Sequence, residues 1–368
     1  MAEASKSEAR VGVALAGDPL DPAAWSGIPV GLSGGIREQG AEPVPLDASP
    51  GAQLRYPVMA AGWALSRDRL SAGNSAALHW LASRKAGRAI AHAPDLEGVL
   101  QLGTEFSLPR GVRYVNLLDM TVAQARLVHP HFASASRRTM RAWVERQRAI
   151  FQDGVACCAA ARWAADSLHN DYGLPWSRIH VVGWGANHRV TALERDWSTP
   201  RYLFIGREWE RKNGPMLLRA FARVRRRIPA AALDLVGEHP PVDGPGVTDH
   251  GLLRLGEPSE RQHLEQLLRR ATCFVLPSLC EPCGIAYLEA GFAGLPSVGT
   301  TVGGTVDAMG DDGGIVVDPG DEDALVEAMI ELADPDRAAE TGEQAHRHAA
   351  DFTWAKVAGR ILDALGSP

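Results

Sequence analysis

Lysine is almost missing from this chain. Only Lys6, Lys85, Lys212 and Lys356 occur in 368 residues, and arginine supplies the rest of the 38 basic side chains. Cysteine is nearly as scarce: Cys157, Cys158, Cys273, Cys280 and Cys283 are the five. A disulfide scaffold is excluded for a chain of this size. Cys280 and Cys283 have metal or redox spacing, but no second ligand pair appears at zinc spacing, so they read as small buried hydrophobes. No stretch approaches the ~20 apolar residues of a membrane span, and Met1 to Arg10 has no signal-peptide core. These absences predict a cytoplasmic protein without an integral membrane segment. A surplus of positive charge is also missing: the net charge of −6 argues against a nucleic-acid partner or a general anionic-membrane binder. The first apolar run is not followed by Gly-x-Gly-x-x-Gly, which removes a Rossmann dehydrogenase. The acidic clusters Asp311-Asp312 and Asp321-Glu322-Asp323 stand in turn and helix-start contexts, so no metal is assigned.

What is present suits an α/β enzyme. At 368 residues the chain exceeds one ordinary hydrophobic core, so two domains are expected. The N-terminal part opens with the apolar run Val11 to Ala16, a Pro/Gly/Asp-rich loop, and a helix capped at Ser26 or Gly27 with Pro29 in its first turn and Gly40 at its end. Ala41 to Leu46 follows as a strand. This β–loop–α–β opening predicts a doubly wound parallel sheet. Val99 to Leu102, Val112 to Leu118 and Ile179 to Val182 read as its later strands, and Ser136 to Cys158 and Ala159 to His169 as helices between them. The second sheet is expected from Tyr202–Ile205, Leu233–Val236, Cys273–Leu276, Ser297-Val298 and Gly314–Val317. The spacing of Val357, Ile361 and Leu365 predicts an amphipathic last helix. The boundaries expected are a disordered tail at 1–10, an N-terminal domain at 11–187, a linker at 188–200, a C-terminal domain at 201–345, and a helix within 346–368 that packs back on the N-terminal domain.

The most informative residues are Glu281 and Glu289. The run before them reads as a buried parallel strand and Gly284 onward as a helix, which puts the two carboxylates on either side of a helix N-terminus. Free N–H groups and a partial positive charge at that end favour phosphate. Carboxylates suit hydroxyls, because they accept from O–H and repel anions. The implied ligand has hydroxyls, then phosphate, then hydroxyls, and a nucleotide sugar fits. A carboxylate buried without a partner in the apolar stretch around Glu289 is costly, which strengthens a functional reading there. Arg207 and Lys212 follow the C-terminal end of a strand, where open α/β sheets bind ligands; Arg offers a fork for phosphate oxygens and Lys a point charge. Ordinary ion pairs to Glu208 or Glu210 are the plainer alternative for both.

Phe204-Ile-Gly-Arg207 with Lys212-Asn-Gly214, the Glu281–Glu289 segment, Gly294-Leu-Pro296 and Gly303-Gly304 stand in the same order as in the large retaining family of GT-B glycosyltransferases. The chain resembles that family strongly over roughly residues 200 to 335 and more loosely before. The resemblance implies a GT-B fold: two Rossmann-like doubly wound domains facing a cleft, with the C-terminal helix crossing back. It implies transfer of a hexose-type sugar from a nucleotide-diphosphate sugar to a small hydroxylated acceptor, with retention, no cofactor and no metal. By the same resemblance Arg207 and Lys212 contact the donor diphosphate, Gly206, Gly284, Ile285 and Ala286 approach it through the backbone, Glu289 holds the ribose hydroxyls and Glu281 the hydroxyls of the sugar. The glycine-containing loop at Trp25-Ser26-Gly27 corresponds to the family's first Gly-rich loop, with Gly27 either approaching the donor or merely capping the helix. Many members have a His-Asp pair after the strand ending at Leu118; here Leu118 precedes Asp119. Asp119, Thr121 and His131 are therefore only acceptor-side candidates, with His92 and His129 as neighbours on no matching motif.

The run from Arg137 through Arg148 either docks a phosphorylated acceptor or lipid headgroups, or is a solvated helix face. A small specialised-metabolite acceptor is slightly favoured by the GC-rich bias of the composition. A cell-envelope or sugar-phosphate acceptor is the alternative, followed by another GT-B activity such as a nucleotide-sugar epimerase, or a non-catalytic sugar-nucleotide binding protein. A phosphorylase would need a lysine for pyridoxal phosphate, and Lys212 is better placed for diphosphate.

Overall fold

The computed structural model describes residues 9–66, 69–129, 132, 135–190 and 195–366. The chain folds as two compact units. The first runs to Val182 and takes in the chain again from Trp354; the second is Gly183–Thr353. Residues 183–187 and 346–353 thus belong to the second unit, not to the N-terminal domain and the returning helix as expected. The reason is local: the Ala186 N–H donates to the Phe352 carbonyl at 3.0 Å, and a side chain on Gly183 would lie 2.4 Å from the Phe352 ring. The two passages of chain therefore pair with each other.

The first unit is a parallel sheet of β1 (Ala9–Leu15), β2 (Ala41–Asp47), β3 (Leu96–Leu102), β4 (Tyr114–Leu118), β5 (Ala156–Ala159) and β6 (Ile179–Val181), in the order β2-β1-β3-β4-β5-β6. Its buried strands carry the near-continuous apolar runs that a sheet covered on both faces requires. Two expectations need correction. The tail does not extend to residue 10: Ala9 and Arg10 already pair with Ala41 and Glu42, and Arg10 is held by Glu42 and the Pro94 carbonyl. Residues 1–8 lie outside the described residues. The helix expected through Cys158 stops at Asp153, and Ala156–Ala159 is a wholly buried strand between β4 and β6. Four small residues are too short a run to display a period.

The C-terminal helix Trp354–Leu365 lies on the helix Ile28–Glu38 and reaches β4 and β5, with Val357, Ile361 and Leu365 buried. Its approach depends on glycines one turn apart. A Cβ on Gly31 would lie 2.1 Å from Trp354 Nε1, and one on Gly35 2.2 Å from the Trp354 carbonyl oxygen; Gly34 meets nothing.

The second unit is again all parallel: β7 (Arg201–Ile205), β8 (Ala232–Val236), β9 (Val247–Asp249), β10 (Cys273–Val275), β11 (Ser297–Thr300) and β12 (Gly314–Val317), ordered β12-β11-β10-β7-β8-β9. From β7 the sheet grows outward through β8 and β9, then returns to β10 on the other side. This is the strand order of a dinucleotide-binding sheet, and its reversal falls between β7 and β10. Tyr202, Phe204, Phe221 and Phe274 fill the core on its two faces. The edge strand β9 is polar and lies before the Leu252 to Leu255 run, which is irregular. Each unit is thus a Rossmann-like doubly wound domain.

Candidate active site

Ligands enter open parallel sheets at the carboxyl ends of the strands, where the order reverses. In the second unit that point lies between the loops after β7 and β10, and they carry Arg207, Lys212 and Glu281.

The β7 loop passes Gly206, Arg207 and Lys212 before the helix Gly214–Arg227 starts behind Asn213, with Pro215 in the first turn. Gly206 is crowded by two side chains: a Cβ there would stand 2.9 Å from the Phe204 ring and 3.0 Å from Lys212 Cγ. Gly237, at the end of β8, comes so close that a Cβ would fall 1.7 Å from the Gly206 carbonyl oxygen. Arg207 is exposed; Lys212 is only 9% exposed.

The β10 loop is fixed from below. Tyr287 donates its hydroxyl to the Leu276 carbonyl and Thr300 to that of Ser278, both at 2.6 Å. Gly304 N–H donates to the Glu281 carbonyl at 2.7 Å, and a Cβ on Gly303, whose φ is +87°, would lie 2.1 Å from that same oxygen. The Gly303-Gly304 pair is thus explained by close approach of backbone to backbone.

Glu281 is 6% exposed, and its carboxylate accepts from Lys212 Nζ and from Ser278 Oγ at 3.2 Å, with Arg211 Nη1 at 4.0 Å. Burial alone would raise its pKa, but the Lys212 ammonium, and after it Arg211 and Ser278, hold it below the usual carboxylate value. The two loops are thereby joined by a buried ion pair.

Arg211 adds a second tie that the sequence reading missed. Its guanidinium donates to the Cys280 carbonyl at 2.7 Å and pairs with Glu208, while its own carbonyl accepts from Leu279 N–H at 2.8 Å. It stands beside Lys212 in sequence, and only the meeting of two loops distant in the chain distinguishes it from a surface arginine. Glu208, one of the carboxylates considered as a partner for Arg207 or Lys212, pairs with Arg211.

The helix Ile285–Phe292 begins behind Gly284, which has φ +68° and leaves the helix without a side-chain cap. Gly284, Ile285 and Ala286 stand at this start, with Ile285 and Ala286 half-buried. Glu289 lies one turn in, 8% exposed, accepting from the main-chain N–H of His188 at 3.2 Å and from that of Asn187. Burial pushes its pKa up to about 7, and the two N–H groups offset only part of that.

In the first unit the described candidates are Thr121, Asp119 and Gly27. Thr121 is 1% exposed and caps the helix Val122–Val128 in a reciprocal box with Gln124, its hydroxyl 2.7 Å from Ser167 Oγ. Its side chain is therefore committed to the fold. Asp119 is half-buried at the end of β4. His131 lies outside the described residues. Gly27, with φ +84°, is the first-turn cap of the helix Ile28–Glu38. Of the run Arg137 to Arg148, Arg137, Arg138 and Arg141 are exposed and Arg148 pairs with Glu145 at 2.7 Å; Arg146 turns inward and donates to the Asn74 carbonyl at 2.8 Å.

No helix among the described residues is long and apolar enough to cross a membrane. Residues 199–334 match the family model described as glycosyl transferases group 1. The D-inositol 3-phosphate glycosyltransferase of Salinispora arenicola is 25% identical over 359 residues, covering 88% of this chain and 80% of the relative. A GDP-mannose-dependent alpha-(1-6)-phosphatidylinositol monomannoside mannosyltransferase of Mycolicibacterium smegmatis is 33% identical over 183 residues, 45% of this chain and 47% of that protein. Among solved structures, sucrose-phosphate synthase from Thermosynechococcus elongatus has a similar fold, with a TM-score of 0.68 at 17% identity over 97% of this chain and 98% of its own. WaaG, a glycosyltransferase involved in lipopolysaccharide biosynthesis, has a TM-score of 0.67 at 13% identity, covering 97% of this chain and 100% of its own. The part of the chain that carries Arg207, Lys212, Glu281 and Glu289 lies within the stretch similar to the group 1 glycosyl transferases, and the fold around it is the GT-B fold.

Proposed function

We propose that this protein transfers a sugar, with retention, from a nucleoside-diphosphate sugar bound to the second unit onto a hydroxyl of a small acceptor. The observation that carries this reading is the buried Lys212–Glu281 pair, because it joins the loops after β7 and β10 where the strand order reverses. In the bond-making step the C1–O bond to the diphosphate breaks while a C1–O bond to the acceptor forms on the same face of the sugar. The departing phosphate oxygen takes the acceptor's proton. Charge develops on the diphosphate, so the step needs fixed positive charge aimed at it.

Lys212 and Arg207 supply that charge, together with the uncapped N–H groups at Gly284, Ile285 and Ala286. No metal enters the scheme. Glu281, anchored by Lys212, accepts from hydroxyls of the departing sugar, and Glu289 from the ribose hydroxyls. Removing water as the donor is enclosed limits its hydrolysis. The acceptor follows the relatives rather than the slight preference for a specialised metabolite. None of those reported above is named for a natural product, and two are named for inositol phosphate or phosphatidylinositol substrates.

A thermal-shift panel of UDP, GDP, ADP and dTDP tests the donor half. One of them should stabilise the protein by about 2.7 kcal/mol at a hundredfold excess over its Kd, and Lys212→Ala should abolish the shift. A panel without any shift, or a shift that Lys212→Ala leaves intact, would refute the site.

A further inference from the structure

The strand order of the first unit reverses between β1 and β3, and the loops leaving those strands frame a cavity of about 260 Å³. A crevice at such a reversal is where open parallel sheets hold ligands. Trp25 borders it from the β1 loop and Glu105 from the β3 loop. Arg146, His79, Asn74 and Arg55 complete the wall.

Its backbone is strained where it meets the cavity. Trp25 (φ 47°), Ser26 (φ 55°) and Gly27 (φ 84°) adopt left-handed conformations in succession, and two of them are not glycine. Such residues cost about 1–3 kcal/mol each and persist where the surroundings over-determine them. Here the strain brings the Trp25 indole to Gly103, whose φ of +78° in turn admits Glu105. A Cβ on Gly103 would lie 2.9 Å from the indole and 2.3 Å from Glu105 Oε2. A flat apolar ring and a carboxylate thus face the same small space.

The charges define the ligand. Arg146 is half-buried and anchored on the Asn74 carbonyl; Arg55 is exposed at the rim. His79 contributes no charge at neutral pH, because burial and the nearby Arg146 push its pKa down to about 4. Two guanidinium groups therefore face one carboxylate. The excess cation calls for an anionic group on the ligand, the carboxylate for hydroxyls, and the indole for the C–H face of a ring. The volume lies below the roughly 300–1,000 Å³ of sites for drug-sized ligands, which suits a single ring.

We infer that this crevice binds a small phosphorylated polyol, with Arg146 and Arg55 on the phosphate and Glu105 accepting from ring hydroxyls. That this ligand is the acceptor rests on the transferase reading above; that it binds does not. Arg55 is flanked by Leu54 and Tyr56, which are 56% and 67% exposed, so the phosphate could be free or part of a lipid headgroup. The shared chemistry is the phosphorylated polyol.

Calorimetric titration of the full chain, with and without the nucleoside diphosphate selected above, separates the sources. The probes are myo-inositol 1-phosphate, glucose 6-phosphate, myo-inositol, glucose, inorganic phosphate, and phosphatidylcholine vesicles with or without phosphatidylinositol. At least one soluble phosphorylated polyol, or the phosphatidylinositol vesicles alone, should bind about tenfold or more tightly than the unphosphorylated parent and inorganic phosphate. Binding of the soluble probe identifies a free acceptor and binding of the vesicles alone a lipid one. Arg55→Ala and Glu105→Gln should each weaken it about fivefold or more while leaving the circular dichroism spectrum unchanged. Arg146→Met should weaken it further, but it also removes the bond to Asn74, so the two exposed variants decide. Failure of every phosphorylated probe, equal affinity for the parent polyol, or wild-type affinity in both variants overturns the inference. Polyol phosphate binding without any nucleotide binding would overturn the donor reading and leave this crevice standing.

Discussion

The two units share an architecture and differ in how each holds its charge. Both are six-stranded parallel sheets whose order reverses once, and in both the loops beside the reversal carry ionisable side chains. In the second unit the charges are buried and bonded to each other: Lys212 and Glu281 are 9% and 6% exposed, and main-chain contacts at Gly206, Gly237 and Gly303 clamp the loops that bear them. In the first unit Glu105 and Arg55 are exposed, and strained backbone at Trp25 and Ser26 does the positioning. A preorganised, dry site suits a leaving group whose chemistry never varies. A wetter crevice, shaped by side-chain tips, can change its ligand by substitution without disturbing the fold.

The sharpest way to break this comparison is to delete one charge from each unit. Lys212→Met strands Glu281 as a buried carboxylate and should cost about 3–5 kcal/mol in urea unfolding. The double variant Lys212→Met/Glu281→Leu should recover most of that stability yet bind no nucleotide. Glu105→Gln in the first unit should change stability by no more than about 0.5 kcal/mol. Equal costs for Lys212→Met and Glu105→Gln would erase the distinction.

Glycine substitutions probe the same contrast at the backbone. In Gly303→Ala the new methyl meets the Glu281 carbonyl oxygen, which the loop cannot move, so we expect a loss of about 3 kcal/mol. In Gly103→Ala it meets the tip of the Glu105 side chain, which can swing away, and the loss should approach the left-handed backbone cost of about 1–2 kcal/mol. Thermal melting of the two variants checks the ranking.

One buried group in each unit, Glu289 in the second and His79 in the first, should respond to pH in opposite senses. Glu289 has a folded pKa of about 7 against 4.5. Between those values the folded state keeps a proton that the unfolded chain has lost, so stability falls as pH rises, by ~3 kcal/mol in all. His79 has a folded pKa of about 4 against 6.5. There the unfolded chain keeps the proton, so stability rises with pH across that window, by a smaller amount because the ring is partly exposed. Glu289→Gln should remove the first trend and His79→Gln the second. If either variant kept the wild-type pH profile of unfolding, the burial assigned to that group would be wrong.

Much of the second unit was legible in the sequence, because the residues on its β7 and β10 loops have types and spacings that are informative together. Glu281, Gly284 and Glu289 fall on a strand–loop–helix pattern that any parallel sheet imposes, and the buried strands around them are plain apolar runs. Arg211 was not legible, since its role depends on a meeting with Cys280 and Leu279 some seventy residues away in sequence. Glu289's tie to the main chain at 187 and 188 was hidden for the same reason, as was the pairing that moves both domain boundaries. In the first unit the signal failed differently. Asp119 and Thr121 were singled out by their place after a strand, but a Thr followed three residues on by Gln is also a helix cap, and Thr121 took that role. Arg146 lay within an arginine-rich run whose other members are solvated, and only the fold shows which one turns inward.

The smallest expected effect concerns protons. If ribose hydroxyls favour ionised Glu289, nucleoside diphosphate binding at pH 7 should release a fraction of a proton, seen as a dependence of binding enthalpy on buffer ionisation heat, and Glu289→Gln should remove it. Proton uptake, or release retained in the variant, would contradict the role given to Glu289.

The most direct test of the central claim is release of nucleoside diphosphate from the matching nucleotide sugar in the absence of acceptor. The wild type should hydrolyse the donor slowly, and Glu281→Ala and Lys212→Ala should each lower the rate by about a hundredfold or more. Wild-type rates in both variants would show that the sugar does not leave its diphosphate between these two loops.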